Sequence, residues 1–162
     1  QNLKLKSYGI KNTGGGFIKG MLGGIEKAYF VPVKKNIYKI RDVNFCVRSE
    51  FDTVNYRVNF YDHINQVPNN RISDKNLIFT SVSNEEGWIE CDLSTEELYY
   101  DSDFFIAIEL LPMLKDDVEK RASFRAKIGL KGKLFTRYYL DSWMEIKGLG
   151  IPFYINYYQV KE

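Results

Sequence analysis

The sequence predicts an all-β domain, a two-sheet antiparallel jelly-roll sandwich of about ten strands. Three observations predict it. Apolar and polar residues alternate with a period of two in several segments, which is typical of strands with one buried face. The chain has 12 Tyr, 11 Phe and 15 Ile but only 4 Ala, and the first three types suit strands whereas Ala favours helices. Polar loops rich in Gly, Pro, Asn and Asp separate the segments.

The clearest strand spans residues 53–61. One face carries Val54, Tyr56, Val58 and Phe60, and the other carries Asn55, Arg57, Asn59 and Tyr61. Residues 123–130 alternate in the same way, with Phe124, Ala126, Ile128 and Leu130 pointing inward. The tripeptide Lys131-Gly132-Lys133 then predicts a tight hairpin into residues 134–140. We expect further strands at residues 3–8, 25–33, 37–48, 76–82, 87–93, 104–111 and 151–160.

Residues 104–111 are apolar on both faces except at Glu109, which predicts a central strand covered on both sides. A buried charge needs a partner, and Arg57, Arg125 and Arg137 are the mid-strand candidates. We expect the most buried residues to be Phe104, Ile106, Ile108, Leu110, Val58, Phe60 and Ile128. Residues 94–97, Ser-Thr-Glu-Glu, predict one short helical turn.

Length and charge limit the function classes. We expect one domain over residues 1–162, with residues 1–20 as a flexible extension. The net charge of +2 gives no reason to expect nucleic acid, and no stretch approaches the ~18 apolar residues of a membrane span. Because the sequence starts at Gln1 and its first residues include neither Met nor an apolar leader segment, we expect a processed or partial chain.

The charge is uneven along the chain. Residues 1–60 carry +7, residues 61–120 carry −10 and residues 121–162 carry +5. One interpretation is that strands of the outer thirds pair with the middle third and bring opposite charges together. The other is an acidic patch for a cation or a basic partner. Cys46 and Cys91 are too few for a disulfide framework, and spacing does not decide whether they pair.

Several segments occur in a familiar order: GGIEKAYF at 23–30, NYRVNFY at 55–61, Pro68, GWIECDL at 87–93, DFFIAIEL at 103–110, LFTR at 134–137 and Trp143. This order resembles a β-sandwich module of bacterial envelope proteins that follows a carboxypeptidase-regulatory-like domain and has no characterised function. The resemblance spans roughly residues 20–157. It implies a galactose-binding-like jelly roll, export to the periplasm or cell surface, and no known catalysis.

Catalytic residue types are scarce. His63 is the single histidine, whereas a zinc peptidase needs two His and a carboxylate. As a general base it would need an orienting acid and a nucleophile, and the alternative is a loop-edge histidine with turn or solvent hydrogen bonds. Gly14-Gly15-Gly16 lacks the Gly-Lys-Ser/Thr ending of a phosphate loop and predicts a flexible turn. We therefore expect no enzyme.

Two acidic clusters and one aromatic pair are the candidate binding residues. Asp116, Asp117 and Glu119 could hold a structural calcium ion or be solvated turn acids. Tyr99 and Tyr100, beside Asp101 and Asp103, could form a sugar platform, because an exposed aromatic ring beside polar groups suits a saccharide. Trp88 and Trp143 could join such a platform or fill the core.

The sequence therefore predicts a non-catalytic, exported accessory module with a binding or structural role, and it implies no cofactor beyond that calcium ion. Its partner would be an envelope protein or a glycan. The alternative function is a carbohydrate-binding, lectin-like module that uses loop aromatics and acids.

Overall fold

The computed structural model describes residues 3–11, 14–17, 23–82, 87–112, 120–129 and 132–161. These residues form fifteen strands and no helix, so none of them lies in a helix that could cross a membrane. The strands are β1 (Leu5–Ile10), β2 (Gly16–Phe17), β3 (Ile25–Val31), β4 (Ile37–Ser49), β5 (Val54–Ile64), β6 (Val67–Arg71), β7 (Leu77–Ser81), β8 (Gly87–Asp92), β9 (Tyr99–Tyr100), β10 (Phe104–Leu110), β11 (Ala122–Ile128), β12 (Leu134–Tyr138), β13 (Met144–Ile146), β14 (Leu149–Gly150) and β15 (Phe153–Val160).

The strands form two antiparallel sheets, which confirms the predicted sandwich. The eight-stranded sheet has the order β1-β15-β4-β11-β14, with β2 on β11 and with β8 and β9 on β4. The seven-stranded sheet has the order β13-β12-β3-β10-β5-β6, with β7 on β5. The count exceeds the expected ten because five short strands of two to five residues, β2, β6, β9, β13 and β14, join the longer ones. Strand β1 pairs with β15 over six residues, so residues 5–10 belong to the sheet and not to a flexible extension.

The core lies between the two sheets and is built by the predicted alternation. Strand β10 sends Phe104, Ile106, Ile108 and Leu110 inward, and all four are at most 1% exposed. Val58 and Phe60 of β5 meet them there, as expected. The prediction for Ile128 is wrong, since its side chain is 83% exposed. Ile128 is the last residue of β11, and the burial of the inward face, which holds at Phe124 and Ala126, ends before it.

The outer face of β10 is also covered, as its apolar composition predicts. Phe105 and Ala107 are 0% exposed although they point away from the sandwich interior. They belong to a second apolar cluster on this face. Its members are Ala28, Tyr61, Phe105, Ala107 and Phe135, and Phe30 and Trp143 pack against it. The seven-stranded sheet is therefore buried on both sides around β10.

The predicted hairpin after residue 130 is wrong. Strand β11 pairs with β4, β2 and β14 in one sheet, whereas β12 pairs with β3 and β13 in the other. The chain therefore crosses from one sheet to the other between them. Period-two alternation reports which face of a strand is buried, and it is the same whether the next strand pairs beside it or lies in the opposite sheet.

Two smaller expectations are also settled. Residues 94–97 form a turn and not a helical turn, with Asp92 Oδ1 accepting a hydrogen bond from the Ser94 amide at 2.9 Å. Cys46 and Cys91 are both buried and free. In the register of β4 and β8, Cys91 lies opposite Val43 in the core, whereas Cys46 lies opposite Trp88 on the outer face. Opposite faces of one sheet cannot be joined by a disulfide.

Candidate functional site

A row of four charged residues crosses the outer face of the seven-stranded sheet. Its members occupy four neighbouring strands, and adjacent members are direct register partners: Arg137 of β12, Glu26 of β3, Glu109 of β10 and Arg57 of β5. The two carboxylates stand side by side in the middle. Like charges directly opposite each other destabilise a sheet. The row is therefore stable only because donors surround both carboxylates.

Glu26 is the most enclosed member of the row. It is 2% exposed, and its Oε1 accepts hydrogen bonds from Asn59 Nδ2 at 2.8 Å and from Tyr61 Oη at 2.7 Å. Its Oε2 accepts from Arg137 Nε at 2.8 Å. Arg137 also donates from Nη2 to Tyr61 Oη at 2.8 Å. Both oxygens of Glu26 are thus engaged by charged or polar donors, which offsets the cost of burying the carboxylate.

Asn59 joins the two carboxylates. Its Nδ2 donates to Glu26 Oε1 at 2.8 Å and to Glu109 Oε2 at 3.0 Å, and Arg57 Nη1 also donates to Glu109 Oε2 at 3.1 Å. Reversing the amide would place its oxygen against both carboxylates, so these contacts define the orientation of Asn59. Its Oδ1 is buried and accepts no hydrogen bond from the described part of the chain. Asn59 is therefore oriented by charge, at the cost of one unsatisfied acceptor.

Two alanines make this network possible. Ala28 and Ala107 are register partners, and they form the outward-facing pair next to Glu26 and Glu109. Both alanines are 0% exposed. Ala107 in turn faces Asn59 on β5. Because methyl side chains are short, they leave a depression in the sheet. Glu26 crosses this depression to reach Asn59 and Tyr61, which lie two strands away.

A cavity of about 390 Å³ opens above the row, within the usual range for ligand sites. Glu26, Arg57, Asn59, Tyr61, Glu109 and Arg137 contribute its floor. Asn69, Asn70 and Arg71 of β6 form one wall. Tyr139 and Leu140, which follow β12 near the opposite edge of the sheet, contribute the other. One wall is therefore polar and cationic, and the other is largely apolar.

Tyr139 is held in an uncommon backbone conformation. Its φ of 52° lies in the left-handed region, and its amide donates to the Gly24 carbonyl at 2.5 Å. A Cβ atom added to Gly24 would lie 2.6 Å from the Tyr139 ring, and Gly24 itself has a φ of 79°. Only glycine allows this close approach without strain. Gly24 thus positions the Tyr139 ring at the cavity wall.

Aromatic rings support the arginine end of the row. The Arg137 guanidinium lies 4.3 Å from the Trp143 ring centroid and 5.3 Å from that of Tyr61, as cation–π contacts. Burial, followed by the charge of Glu26 and the hydrogen bond to it, raises the pKa of Tyr61 well above its ordinary value. Tyr61 therefore remains a protonated phenol at neutral pH and can donate to Glu26.

The sequence-predicted sugar platform does not form as one surface. Tyr99 is 46% exposed, but Tyr100 points to the other side of the strand and stacks on Phe60, with centroids 5.1 Å apart. Asp103 Oδ1 accepts from the Val33 amide at 2.7 Å, and Asp101 Oδ1 accepts from Ser102 Oγ at 2.8 Å. The alternation that exposes Tyr99 turns Tyr100 toward the core, where it is partly buried.

The other predicted candidates have separate places. Asp116, Asp117 and Glu119 lie outside the described residues, and within the described ranges no group of three His, Cys, Asp or Glu side chains could hold a metal ion. His63 Nδ1 accepts a hydrogen bond from the Gln66 amide at 3.2 Å, which is the turn role predicted as its alternative. Trp88 is 38% exposed on the eight-stranded sheet and contacts Tyr154.

Sequence reasoning missed the cavity but identified part of its floor. It placed Arg57, Asn59 and Tyr61 on the outward face of their strand and named Arg57 as a candidate partner of Glu109, which the 3.1 Å contact confirms. It singled out neither Glu26 as a site residue nor the pairing of Arg137 with it. The sequence did contain a sign of this site. Charged and amide residues occupy outward positions in the middle of strands, where they are not simply polar residues of an exposed turn.

Comparisons with known proteins find similarity in structure alone. No family model matches the chain, and no curated protein matches it. One similar structure is a variant of the clostridial cysteine protease Cwp84 after propeptide cleavage, with a TM-score of 0.73 and 13% identity over 96% of this chain. Another contains the cysteine protease and lectin-like domains of Cwp84, a surface layer associated protein of Clostridium difficile, with a TM-score of 0.62 and 12% identity over 84% of this chain.

This chain corresponds to only part of those proteins, 40% and 32% of their lengths respectively. At such identities the likeness shows the fold alone. The fold is thus shared with part of a surface layer associated protein.

Proposed function

We propose that this domain is a non-catalytic accessory module of an exported or cell-surface protein, and that it binds a saccharide in the outer-face cavity. The observation that carries the proposal is the network beneath the cavity. Glu26, Glu109, Arg57, Arg137 and Asn59 hold one another in place before any ligand arrives. A ligand therefore meets polar groups that are already ordered, which lowers the entropic cost of binding.

The cavity offers the groups that a sugar needs. Saccharides present hydroxyls that donate and accept hydrogen bonds, together with an apolar ring face that packs on aromatic side chains. Arg57 Nη2 and Arg137 Nη1 have no hydrogen-bond partner in the described part of the chain, so they are available as donors. The Tyr139 ring, 54% exposed, provides an aromatic surface beside them.

The same contacts favour binding over catalysis. Glycoside hydrolysis usually requires one carboxyl group to transfer a proton and a second to attack the sugar or activate water. Here Asn59 Nδ2 binds both carboxylates, and each also faces an arginine. Both oxygens of Glu26 are occupied and the residue is 2% exposed. These two carboxylates support the shape of the site and leave no free oxygen on Glu26 for a substrate.

The structural likeness adds to the proposal. One similar structure includes a lectin-like domain, and its protein is associated with a surface layer. This favours a glycan partner and a location on the periplasmic or outer side of the cell. The resemblance to the module that follows a carboxypeptidase-regulatory-like domain stays a prediction, and it points to the same compartment.

A glycan array followed by titration calorimetry tests the proposal. We expect the domain to bind at least one glycan with millimolar or better affinity. Tyr139→Ala should weaken binding about tenfold, or about 1.4 kcal/mol. The matched control is Tyr99→Ala, which removes a tyrosine exposed to a similar extent outside the cavity and should leave binding unchanged.

Two results would overturn the proposal. A blank array would remove the saccharide and favour an interaction module, which a pull-down from envelope proteins would then identify. Binding that is lost in Tyr99→Ala but retained in Tyr139→Ala would move the ligand away from the cavity.

A further inference from the structure

We infer that the saccharide carries an anionic substituent, a carboxylate or a phosphate, which Arg71 binds while the sugar ring packs on Tyr139. This inference rests on the proposed function and specifies its ligand class. It starts from the charges that line the cavity. Three arginines and two glutamates face it, which leaves one positive charge in excess.

The internal ion pairs show which arginine carries the excess. Arg57 pairs with Glu109 at 3.1 Å and Arg137 pairs with Glu26 at 2.8 Å, so these four charges cancel two by two. Arg71 forms no ion pair within the described residues. Its Nη2 donates to the Lys75 carbonyl at 2.8 Å, which is a neutral acceptor. The cation on the β6 wall therefore remains uncompensated until a ligand supplies the anion.

The chemistry of Arg71 suits a carboxylate or a phosphate. A guanidinium presents five N–H donors in a planar fork, and that fork matches the paired oxygens of either anion. The contact with the Lys75 carbonyl uses one donor and restrains the side chain, while its other N–H groups have no partner among the residues that the structure describes. Asn69 and Asn70 line the same wall and provide amide donors beside it. Charge-assisted hydrogen bonds of this kind are about twice as strong as neutral ones.

The opposite wall orients the ligand. Tyr139 and Leu140 are 54% and 89% exposed, and they lie across the floor strands from Arg71. A left-handed backbone at an aromatic residue is energetically costly and persists only where the surroundings impose it. Here Gly24 imposes it by lying against the ring. The Tyr139 ring thus gives an apolar surface on one side of the cavity, and the Arg71 guanidinium lies on the other.

The experiment compares each acidic glycan with its neutral counterpart. Glycans with carboxylates or phosphates are arrayed before and after carboxyl reduction or phosphatase treatment, which identifies the source of the anion. We expect the wild type to lose about tenfold in affinity when the anionic group is removed. We also expect affinity for acidic glycans to fall as salt rises, since added ions screen an exposed charge.

Two variants distinguish the contributions of the two cavity walls to binding. Arg71→Gln should lose about tenfold in affinity for acidic glycans and bind the neutral counterparts as the wild type does. Tyr139→Ala should weaken both forms alike. The control is Lys34→Gln, which removes an exposed positive charge outside the cavity and should change neither. Unchanged melting temperatures confirm that each variant is folded.

The outcomes distinguish the inference from the function on which it rests. If acidic and neutral forms bind equally well, or if Arg71→Gln weakens both, the anionic ligand class is overturned while saccharide binding stands. If no glycan binds in either form, both the inference and the proposed function fail. Selective loss for acidic glycans in Arg71→Gln supports both.

Discussion

Two adjacent residues of β3 place opposite charges on opposite faces of the same sheet. Glu26 points outward and accepts hydrogen bonds from three side chains, two of which are neutral. Lys27 points into the sandwich, where it is 4% exposed and donates a single hydrogen bond to Thr136 Oγ1 at 3.0 Å. No carboxylate in the described ranges pairs with Lys27, and burial lowers its pKa to about 8.

The comparison shows how neighbouring strands decide whether a buried charge is tolerated. On the outer face, small side chains leave room for partners of Glu26 from two other strands, β5 and β12. On the inner face, large apolar side chains fill the space, and Lys27 lies opposite Ile108 of β10. The first charge is therefore part of a network that orders a cavity, and the second mainly reduces stability.

The largest expected effect concerns the inner face. Ile108→Ala should lower the free energy of unfolding by about 2–5 kcal/mol, because the central strand would lose a fully buried side chain and leave a cavity. Urea unfolding measures it. The matched control is Ile78→Ala on β7, where the side chain is 43% exposed and a smaller loss is expected. A loss below about 1 kcal/mol at Ile108 would show that β10 is not central.

A second prediction breaks the outer network. Glu26→Gln should cost about 3 kcal/mol, because Arg137 would keep a poorly solvated charge with no carboxylate beside it. Adding Arg137→Gln should recover part of that loss, since the double variant removes the unpaired charge. Unfolding free energies of the two single variants and the double variant form the cycle. Strictly additive losses would mean that the pair is not coupled.

A third prediction concerns the inward charge. Lys27→Met should raise the free energy of unfolding by about 2 kcal/mol at pH 7, because an apolar side chain of similar length needs no hydration. Thermal and urea unfolding measure it, with Lys34→Met at an exposed position as the control. If Lys27→Met is instead less stable than the wild type, the ammonium group has a partner whose stabilising interaction exceeds the free-energy cost of burying the charge.

The pH dependence sharpens this prediction. The folded-state pKa of Lys27, about 8, lies below its ordinary 10.5, so the folded protein binds fewer protons between those values. Stability then rises with pH across that window. The gain from Lys27→Met should accordingly shrink between pH 7 and pH 9.5. Taking the difference between variant and wild type cancels the tyrosine and cysteine titrations that both proteins share. A gain that is constant with pH would contradict the lowered pKa.

The smallest effect is expected at Trp143. Its Nε1 is buried and has no hydrogen-bond partner among the described residues, so replacing the indole by a phenyl ring breaks no hydrogen bond. Trp143→Phe should change the unfolding free energy by less than about 1 kcal/mol while keeping an aromatic ring on Arg137. Trp143→Ala removes the ring and should cost clearly more. Equal losses in the two variants would mean that the N–H has a partner after all.

Charge distribution along the chain was partly informative. Lys39 pairs with Glu97, and Arg57 with Glu109, so the basic first third meets the acidic middle third as one interpretation predicts. The same distribution did not reveal that Glu26 and Arg137, from the two outer thirds, would pair. That pairing arises because β12 lies beside β3, and summed charge carries no information about strand order.

The amino-acid sequence by itself determined ten of the fifteen strands, the buried faces of β5 and β10, and the central place of β10. These features follow from the alternation of apolar and polar residues with a period of two, which is a local property that can be read directly from the sequence. It also determined that Glu109 needs a partner, since one charge interrupts an apolar run.

Only the tertiary structure decided which strands share a sheet, and therefore which outward side chains meet. Glu26, Asn59 and Arg137 are far apart in sequence, and their contact depends on the strand order β12-β3-β10-β5 and on a register that aligns them over Ala28 and Ala107. A shift of one residue in any of these pairings would turn a charged side chain to the other face. The cavity and its charge balance thus depend on long-range pairing, which no local pattern records.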